Sequence, residues 1–384
     1  MTGTYPQVGM DYLNLFNQFN PESWLRAAFS LLVCAIAIPL AVPLARRLGM
    51  VDHPGGRKDH VGAIPVIGGL VIFLAVALST LVFESAASAM SLTFIAGAGL
   101  MVAVGQLDDR FDLHWRWRIA AQVAAALMMI HIAGVQVTHL QDVFGFAAPN
   151  MGLFAVPFTV FIVVGVINAL NMADGVDGLA GSLSLVSLLL FTGFALYAGD
   201  LPVAASLLSL SAALVGFLLW NCRRPGQPRA KVFLGNGGSM LLGFVIAWTA
   251  VGLTQNPAHP VSPVLGPWTL ALPLIDCVTL MIRRWHQGRS PFAADRQHMH
   301  HLLLDAGFRP TAVVLLLASL ALVLGIGAAI ALKLGVYRPL LVLVFLGLLA
   351  GWYVFSYDYA RAVGRLRRLA RRESTVTLEQ AGES

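Results

Sequence analysis

Apolar runs of about membrane-spanning length recur eleven times along this chain, near 24–45, 65–84, 88–106, 118–136, 153–170, 179–198, 201–220, 239–255, 263–283, 311–332 and 339–357. A helix needs about 20 mostly apolar residues to cross roughly 30 Å of hydrocarbon. Read with that ruler, the pattern predicts an all-α polytopic membrane protein with about eleven transmembrane helices. It divides into an N-terminal segment, 1–23, a single transmembrane domain, 24–357, and a basic tail, 358–384. The loops expected to carry chemistry are 46–64, 107–117, 171–178, 221–238 and 284–310.

Composition strengthens this reading. Hydrophobic residues make up 58% of the chain and charged residues 11%, against about 25% charged in ordinary soluble domains; mean hydropathy is +0.76. Of the 25 basic residues, 22 fall in alternate connections or the tail, while Arg26, Lys333 and Arg338 lie opposite. The positive-inside rule places the basic side in the cytoplasm, with the N-terminus outside and the C-terminus inside. An odd span count agrees with that. The net charge of +6 therefore reflects topology and attraction to anionic headgroups or phosphates, not nucleic-acid binding. Cys34, Cys222 and Cys277 lie in or beside spans and imply no disulfide framework. The polar N-terminus lacks a charged signal region, so no cleavable signal peptide is expected. In the tail, Arg365, Arg368 and Arg372 recur at helical spacing beside Leu366 and Leu369, a pattern suited to a surface helix on anionic headgroups.

Nearly every residue with chemical potential sits where a span ends on the basic side. The first loop, Asp52 to His60, offers Lys58 as a point charge for phosphate among flexible glycines. The third span ends in Asp108-Asp109-Arg110-Phe111-Asp112. If helical, Asp108 and Asp112 share a face. Adjacent carboxylates repel unless a cation, a proton or an arginine attends them, and hard oxygen ligands suit Mg²⁺. The fifth span runs into Asn171, Asp174 and Asp177, punctuated by Gly175 and Gly178. Phe233-Leu234-Gly235-Asn236-Gly237-Gly238-Ser239 opens the eighth span; such a turn at a helix N-terminus, capped by Ser239, suits an anion. The longest loop holds Asp295, Arg296, His298, His300 and His301. No second Cys/His cluster completes a tetrahedral zinc set, so these imidazoles are expected to meet phosphate or oxygen groups instead.

In this order, Asp-Asp-Arg-Phe-Asp, Asn-Met-Ala-Asp-Gly-Val-Asp-Gly, Phe-Leu-Gly-Asn-Gly-Gly-Ser and Ser-Pro-Phe-Ala-Ala-Asp-Arg-Gln-His-Met-His-His resemble the polyprenyl-phosphate N-acetylhexosamine-1-phosphate transferases. The likeness covers roughly residues 45–310, and His-Met-His-His points to the bacterial branch that uses UDP-N-acetylglucosamine and undecaprenyl phosphate. The resemblance implies a periplasmic N-terminus, a cytoplasmic C-terminus and a cytoplasmic active site in the bacterial inner membrane. It implies Asp108, Asp109, Asp174, Asp177 and His298 as catalytic residues. Lys58, Asn221, Phe233, Arg296, His300 and His301 would bind substrate, with Asn221 and Phe233 at the uridine. Asp109, Asn171 and Asn236 would hold Mg²⁺, for which Mn²⁺ substitutes. The family usually has Asp where this chain has Asn236, so one metal ligand brings no charge here.

The implied partners are a UDP-N-acetylhexosamine, undecaprenyl phosphate and membrane lipid, with no nucleic acid and with a homodimer left open. The implied reaction, the first membrane step of O-antigen or other envelope polysaccharide synthesis, yields undecaprenyl-diphospho-sugar and UMP. An ion-coupled transporter is the alternative, but transport sites place ionisable groups near the bilayer midplane; here only Asp276 reaches into a span. A membrane scaffold would leave the order of the motifs unexplained.

Overall fold

The computed structural model describes residues 17–52, 62–83, 88–146, 150–291 and 295–368. Helix α1 is Pro21–Arg47; strands β1 (Val51–Asp52) and β2 (Ile64–Pro65) follow, then α2 (Gly68–Phe83), α3 (Ala89–Phe111), α4 (Trp115–His131), α5 (Ala155–Ala173), α6 (Leu179–Tyr197) and α7 (Leu201–Asn221). The chain continues through α8 (Gly235–Gln255), α9 (Leu265–Thr269), α10 (Ala271–His286), α11 (Met299–Asp305), α12 (Pro310–Lys333) and α13 (Arg338–Ser356), and is helical again over 359–368. The fold is all-α. Among the described residues, eight helices are long and apolar enough to cross a membrane: α1, α3, α5 with the turn before it, α6, α7, α8, α12 and α13.

Three expected spans form shorter helices. The 65–84 run gives α2, of 16 residues, and 118–136 gives α4, of 17 residues. The 263–283 run is broken at Leu270 into α9 and α10. Pro273 is the cause, because it has no N–H to give the carbonyl of Thr269 four residues earlier. Ser187 on α6 donates to that carbonyl instead, at 2.8 Å. The same device recurs in α1, which runs unbroken through Pro39. Pro39 leaves the Ala35 carbonyl without its helical donor, and the indole Nε1 of Trp220 on α7 supplies one at 2.9 Å. Elsewhere the helix ends follow local chemistry. Asn20 caps α1 through Ser23 N, and Arg46 and Arg47 close its last turn, where cations complement the helix dipole.

Helix α8 is the centre of the bundle, buried along nearly its whole length and packed by α2, α3, α5 and α6. Small residues permit the contact. A Cβ on Gly105 of α3 would lie 2.3 Å from the Cα of Gly237, and one on Gly69 of α2 would lie 2.2 Å from the Cα of Gly238. α1 packs on α7, α12 on α6 and α9, and α13 on α10. The β1–β2 pair, Val51 with Pro65 and Asp52 with Ile64, is the stem of the first loop. It is joined to the Gly-rich turn, since Phe233 N donates to Pro65 O and Gly68 N to Phe233 O.

The 359–368 helix leaves Arg361, Arg365 and Arg368 exposed but buries Ala362. Leu366 packs against the apolar cluster that includes Met299 and Leu303 of α11. Tyr359 donates to Asp305 at 2.6 Å, and Arg367 to the Asp305 carbonyl at 2.7 Å. The basic helix expected on headgroups is thus also a buttress for α11; the rest of the expected tail lies outside the described residues. Ending the chain after Asp358 should raise amide exchange across Met299–Asp305 by about tenfold or more. Exchange rates equal to those of the full chain would show that the contact carries no stability.

Candidate active site

The C-terminal turn of α3 carries the first acids. Asp108 is buried at 5% exposure and pairs with Arg118 of α4 at 3.1 Å. Asn236 Nδ2 also donates to Asp108 Oδ2, at 2.8 Å. Asp109 receives the backbone N–H of Asn236 on both oxygens, at 3.0 and 3.1 Å. The anion expected at the N-terminus of α8 is therefore the protein's own carboxylate. Gly235 makes this possible: its φ is +76°, and a Cβ there would lie 2.5 Å from Asp109 Oδ2, so a side chain is excluded twice. Two expectations are corrected here. α3 stops at Phe111, and Asp112 is its left-handed cap at φ 48°, exposed and off the face of Asp108. α8 begins at Gly235, so Ser239 is not its N-cap; its hydroxyl donates back to Gly235 O.

The end of α5 meets this group from the other side. Asn171 Nδ2 donates to Asn236 Oδ1 at 2.8 Å and to Ser239 Oγ at 2.9 Å. Asp108, Asn236 and Asn171 thus form one hydrogen-bonded chain across three helix ends, with Asp109 attached through the Asn236 backbone. In the following turn, Asp177 accepts from Arg223 Nε at 2.7 Å and from Ala230 N at 3.2 Å. Among the described residues no cation pairs with Asp109 or Asp174. Burial, then the Asp109 and Asp177 carboxylates, push the Asp174 carboxyl up to about 7.

The histidine loop arrives on α11. Asp276 of α10, buried, accepts from His298 Nδ1 at 2.8 Å and from Met299 N at 2.8 Å. A carboxylate on Nδ1 fixes the ring and leaves Nε2 for a ligand. Arg284 extends the support, donating to Asp295 at 2.8 Å and to the Pro291 carbonyl at 2.7 Å, while Arg283 reaches Gln297 at 3.2 Å. The rings of His300 and His301 lie 4.2 Å apart, and those of His298 and His300 stack at 5.3 Å. His300 presses on the acidic turn so closely that a Cβ on Gly175 would lie 2.2 Å from its Nε2. Among the described residues that nitrogen is buried without a hydrogen-bond partner. Burial and the neighbouring His301 and His298 hold His300 well below the usual histidine range. Burial, His298 and Arg296 bring His301 down to about 4. Both rings are neutral near pH 7.

Of the residues singled out in the sequence, Asp108, Asp109, Asn171, Asn236, Asp174 and Asp177 come together, with His300 against their edge. Asn221 lies behind the acids, accepting from Gly178 N and donating to Val232 O, each at 2.8 Å. It ties the acidic turn to the strand-like segment containing Phe233. Arg296 is exposed, and Lys58 lies outside the described residues. Asp276 stood out in the sequence only as a lone carboxylate in an apolar run, seven residues before Arg283 on the same helix; its role in holding His298, like the pairing of Arg118 and Arg223, was not foreseen.

Among the described residues, no three Asp, Glu, His or Cys side chains converge closely enough to hold a metal by themselves. The expected set of Asp109, Asn171 and Asn236 adds amide oxygens to one carboxylate, and its members are in hydrogen-bond contact. Such all-oxygen donors fit a hard cation that completes its shell with substrate phosphates.

Residues 90–254 match the model of glycosyl transferase family 4. Over 342 residues, 87% of this chain and 92% of the relative, the sequence is 36% identical to the undecaprenyl-phosphate alpha-N-acetylglucosaminyl 1-phosphate transferase of Yersinia pestis. The proteins of that name from Escherichia coli K12 and Haemophilus influenzae are also 36% identical, over 86% of this chain and 90% and 93% of their own lengths.

The raised Asp174 carboxyl gives a measurable titration. In metal-free protein it should be protonated below about 7 and charged above, since a carboxyl with a raised pKa keeps its proton to higher pH. Infrared difference spectra should show a protonated-carboxyl band fading through that range, absent in Asp174→Asn and moved to lower pH by Mg²⁺. A band that fades only near pH 4, where an exposed carboxyl titrates, would disprove the assignment.

Proposed function

The chain belongs to glycosyl transferase family 4, among the undecaprenyl-phosphate N-acetylglucosaminyl 1-phosphate transferases, and we propose the following reaction for it. N-acetylglucosamine 1-phosphate passes from UDP-N-acetylglucosamine to undecaprenyl phosphate, releasing UMP. An oxygen of the lipid phosphate bonds to the β-phosphorus of the nucleotide sugar, and the bridge from that phosphorus to the α-phosphate breaks, leaving its oxygen on UMP. The observation that carries the site assignment is the chain Asp108–Asn236–Asn171 with Asp109 attached: acids and amides from three helix ends meet at one point.

Each residue has work consistent with its position. Asp108, oriented by Arg118 and Asn236, faces the acceptor and takes any proton the lipid phosphate still carries; the second pKa of a phosphate monoester is about 6. Asp109, Asn171 and Asn236 would hold the divalent cation, Mg²⁺ or Mn²⁺. When bound, that cation supplies charge neutralisation for the diphosphate, the main demand of phosphoryl transfer. Asp174 and Asp177 shape the same face, and Lys58 of the first loop would bind substrate phosphate. Phe233 and Asn221 border the uridine side. His298, held by Asp276, together with His300, His301 and Arg296, meets the sugar phosphate. In this reading eleven spans leave the N-terminus in the periplasm and the active site on the cytoplasmic face of a bacterial inner membrane. The product then enters O-antigen or other envelope polysaccharide synthesis.

With radiolabelled UDP-N-acetylglucosamine and undecaprenyl phosphate, label should enter extractable lipid with UMP as the nucleotide product. UDP as product would mean glycosyl transfer and sink this chemistry, while ion-driven uptake without lipid product would favour a transporter.

Asn236→Asp tests the metal position. The amide donates to Asp108 at 2.8 Å; a carboxylate there would repel it, so metal-free protein should melt lower. Mg²⁺ should restore the lost stability, and the half-saturating Mg²⁺ for the initial rate should fall, because hard cations favour charged oxygen. An unchanged melting temperature and an unchanged Mg²⁺ requirement would place Asn236 outside the metal's reach.

A further inference from the structure

A second feature lies apart from the acids, at the basic ends of α1 and α7. A cavity of about 630 Å³ opens there, within the size range of ligand sites. Its apolar wall is Ile38, Pro39 and Val42 of α1 facing Trp220 of α7. Pro39 creates the wall's geometry, since the carbonyl it orphans draws the Trp220 indole N–H across to Ala35 O. Trp220 is thereby fixed edge-on, and Lys231 Nζ stands 5.0 Å over its ring.

The rim has the opposite character. Arg46, Arg229 and Lys231 all line the cavity, and all three are exposed. Among the described residues none of them is paired with a carboxylate. Asp52, opposite Ile64 in the β1–β2 ladder, is not among the lining residues. Three cations without a carboxylate partner among the described residues, above an apolar slot, match one kind of ligand: an amphiphile with an anionic head and hydrocarbon tail. Basic residues beside a membrane attract anionic headgroups by about 1 kcal/mol each.

The reacting acids are on the far side of the wall. Ala230 lines the cavity but turns its N–H to Asp177, and Pro65, also lining it, accepts from Phe233 N. A phosphate at this rim is therefore separated from Asp108 and Asp109 by the 230–233 segment. We propose that the cavity binds an anionic glycerophospholipid of the surrounding leaflet, its phosphodiester at Arg46, Arg229 and Lys231 and its acyl chain along Val42 and Trp220. The proposal requires the membrane setting but not the transferase reaction.

Full-length protein stripped of lipid in neutral detergent would be titrated with phosphatidylglycerol or phosphatidylcholine and the first bound lipid counted by native mass spectrometry. Phosphatidylglycerol should bind about fivefold more tightly or better. The double variant Arg229→Glu/Lys231→Glu should abolish that preference. Val42→Trp, which fills the slot and leaves every charge, should weaken both lipids, so the proposal survives a folding failure of either variant. Equal binding of the two lipids, or variants that bind like wild type, would overturn it. So would displacement of the phospholipid by millimolar inorganic phosphate, which marks a simple anion site. One-for-one displacement by undecaprenyl phosphate, with loss of turnover in the variants, would make this the acceptor's own site and equally overturn it.

Discussion

Glycine set against glycine holds the polar centre in place. α2 and α3 reach the first turn of α8 only because Gly69 meets Gly238 and Gly105 meets Gly237, where a single methyl group would stand 2.2 to 2.3 Å from backbone atoms. In a membrane, lipid tails compete for every apolar face, so helices associate through close packing and polar contacts rather than hydrophobic exclusion. The approach delivers the N-terminal N–H of α8 to Asp109. Without it, Asp109 would keep only a 3.5 Å contact from Gln106 of its own helix, and burying a poorly paired charge is among the costliest things a chain can do. Packing and site electrostatics are here one arrangement.

Prolines do comparable work at the two flanks. Pro39 and Pro273 each remove a helical N–H, and in each case a side chain of a neighbouring helix donates to the orphaned carbonyl. Broken helices are tolerated at membrane depth when neighbours satisfy the freed groups. The consequences differ. The Pro273 break separates α9 from α10, the helix whose Asp276, Arg283 and Arg284 carry the histidine loop. At Pro39 the helix runs on unbroken, and the missing hydrogen bond draws Trp220 to the wall of the slot. A residue usually read as a helix breaker therefore supports the histidine loop on one flank of the basic side and shapes a cavity on another.

The loops bearing acids, amides and histidines were legible because they interrupt long apolar runs, and their order carries the family resemblance. What stayed hidden was pairing. Arg118 and Arg223 counted as topology signals in the sequence, yet they neutralise Asp108 and Asp177. Asp276 looked like an isolated charge inside a span, since nothing in its own helix announces a partner 22 residues later. Asp112 looked like a facial partner of Asp108 until the helix ended in a left-handed cap one residue too early. The 263–283 run read as one span, because composition does not reveal that Ser187 would accept the break. Periodicity reports local preference, whereas these features depend on atoms brought from elsewhere in the chain.

Charge balance gives the last step. Of the four converging carboxylates, Asp108 and Asp177 have arginines, and Asp109 and Asp174 have no cation among the described residues. An aspartate in place of Asn236 would add a third uncompensated charge, in contact with Asp108. The amide instead donates to Asp108 and accepts from Asn171, so it joins groups that two carboxylates would drive apart. A centre with fewer excess negative charges repels a diphosphate less and attracts a cation less strongly. In the proposed reaction, the substrate phosphates would then supply more of the ligands of a hard cation than the protein's own carboxylates. The architecture absorbs the change because the glycine contacts, not the side chain at 236, set where the helix ends meet.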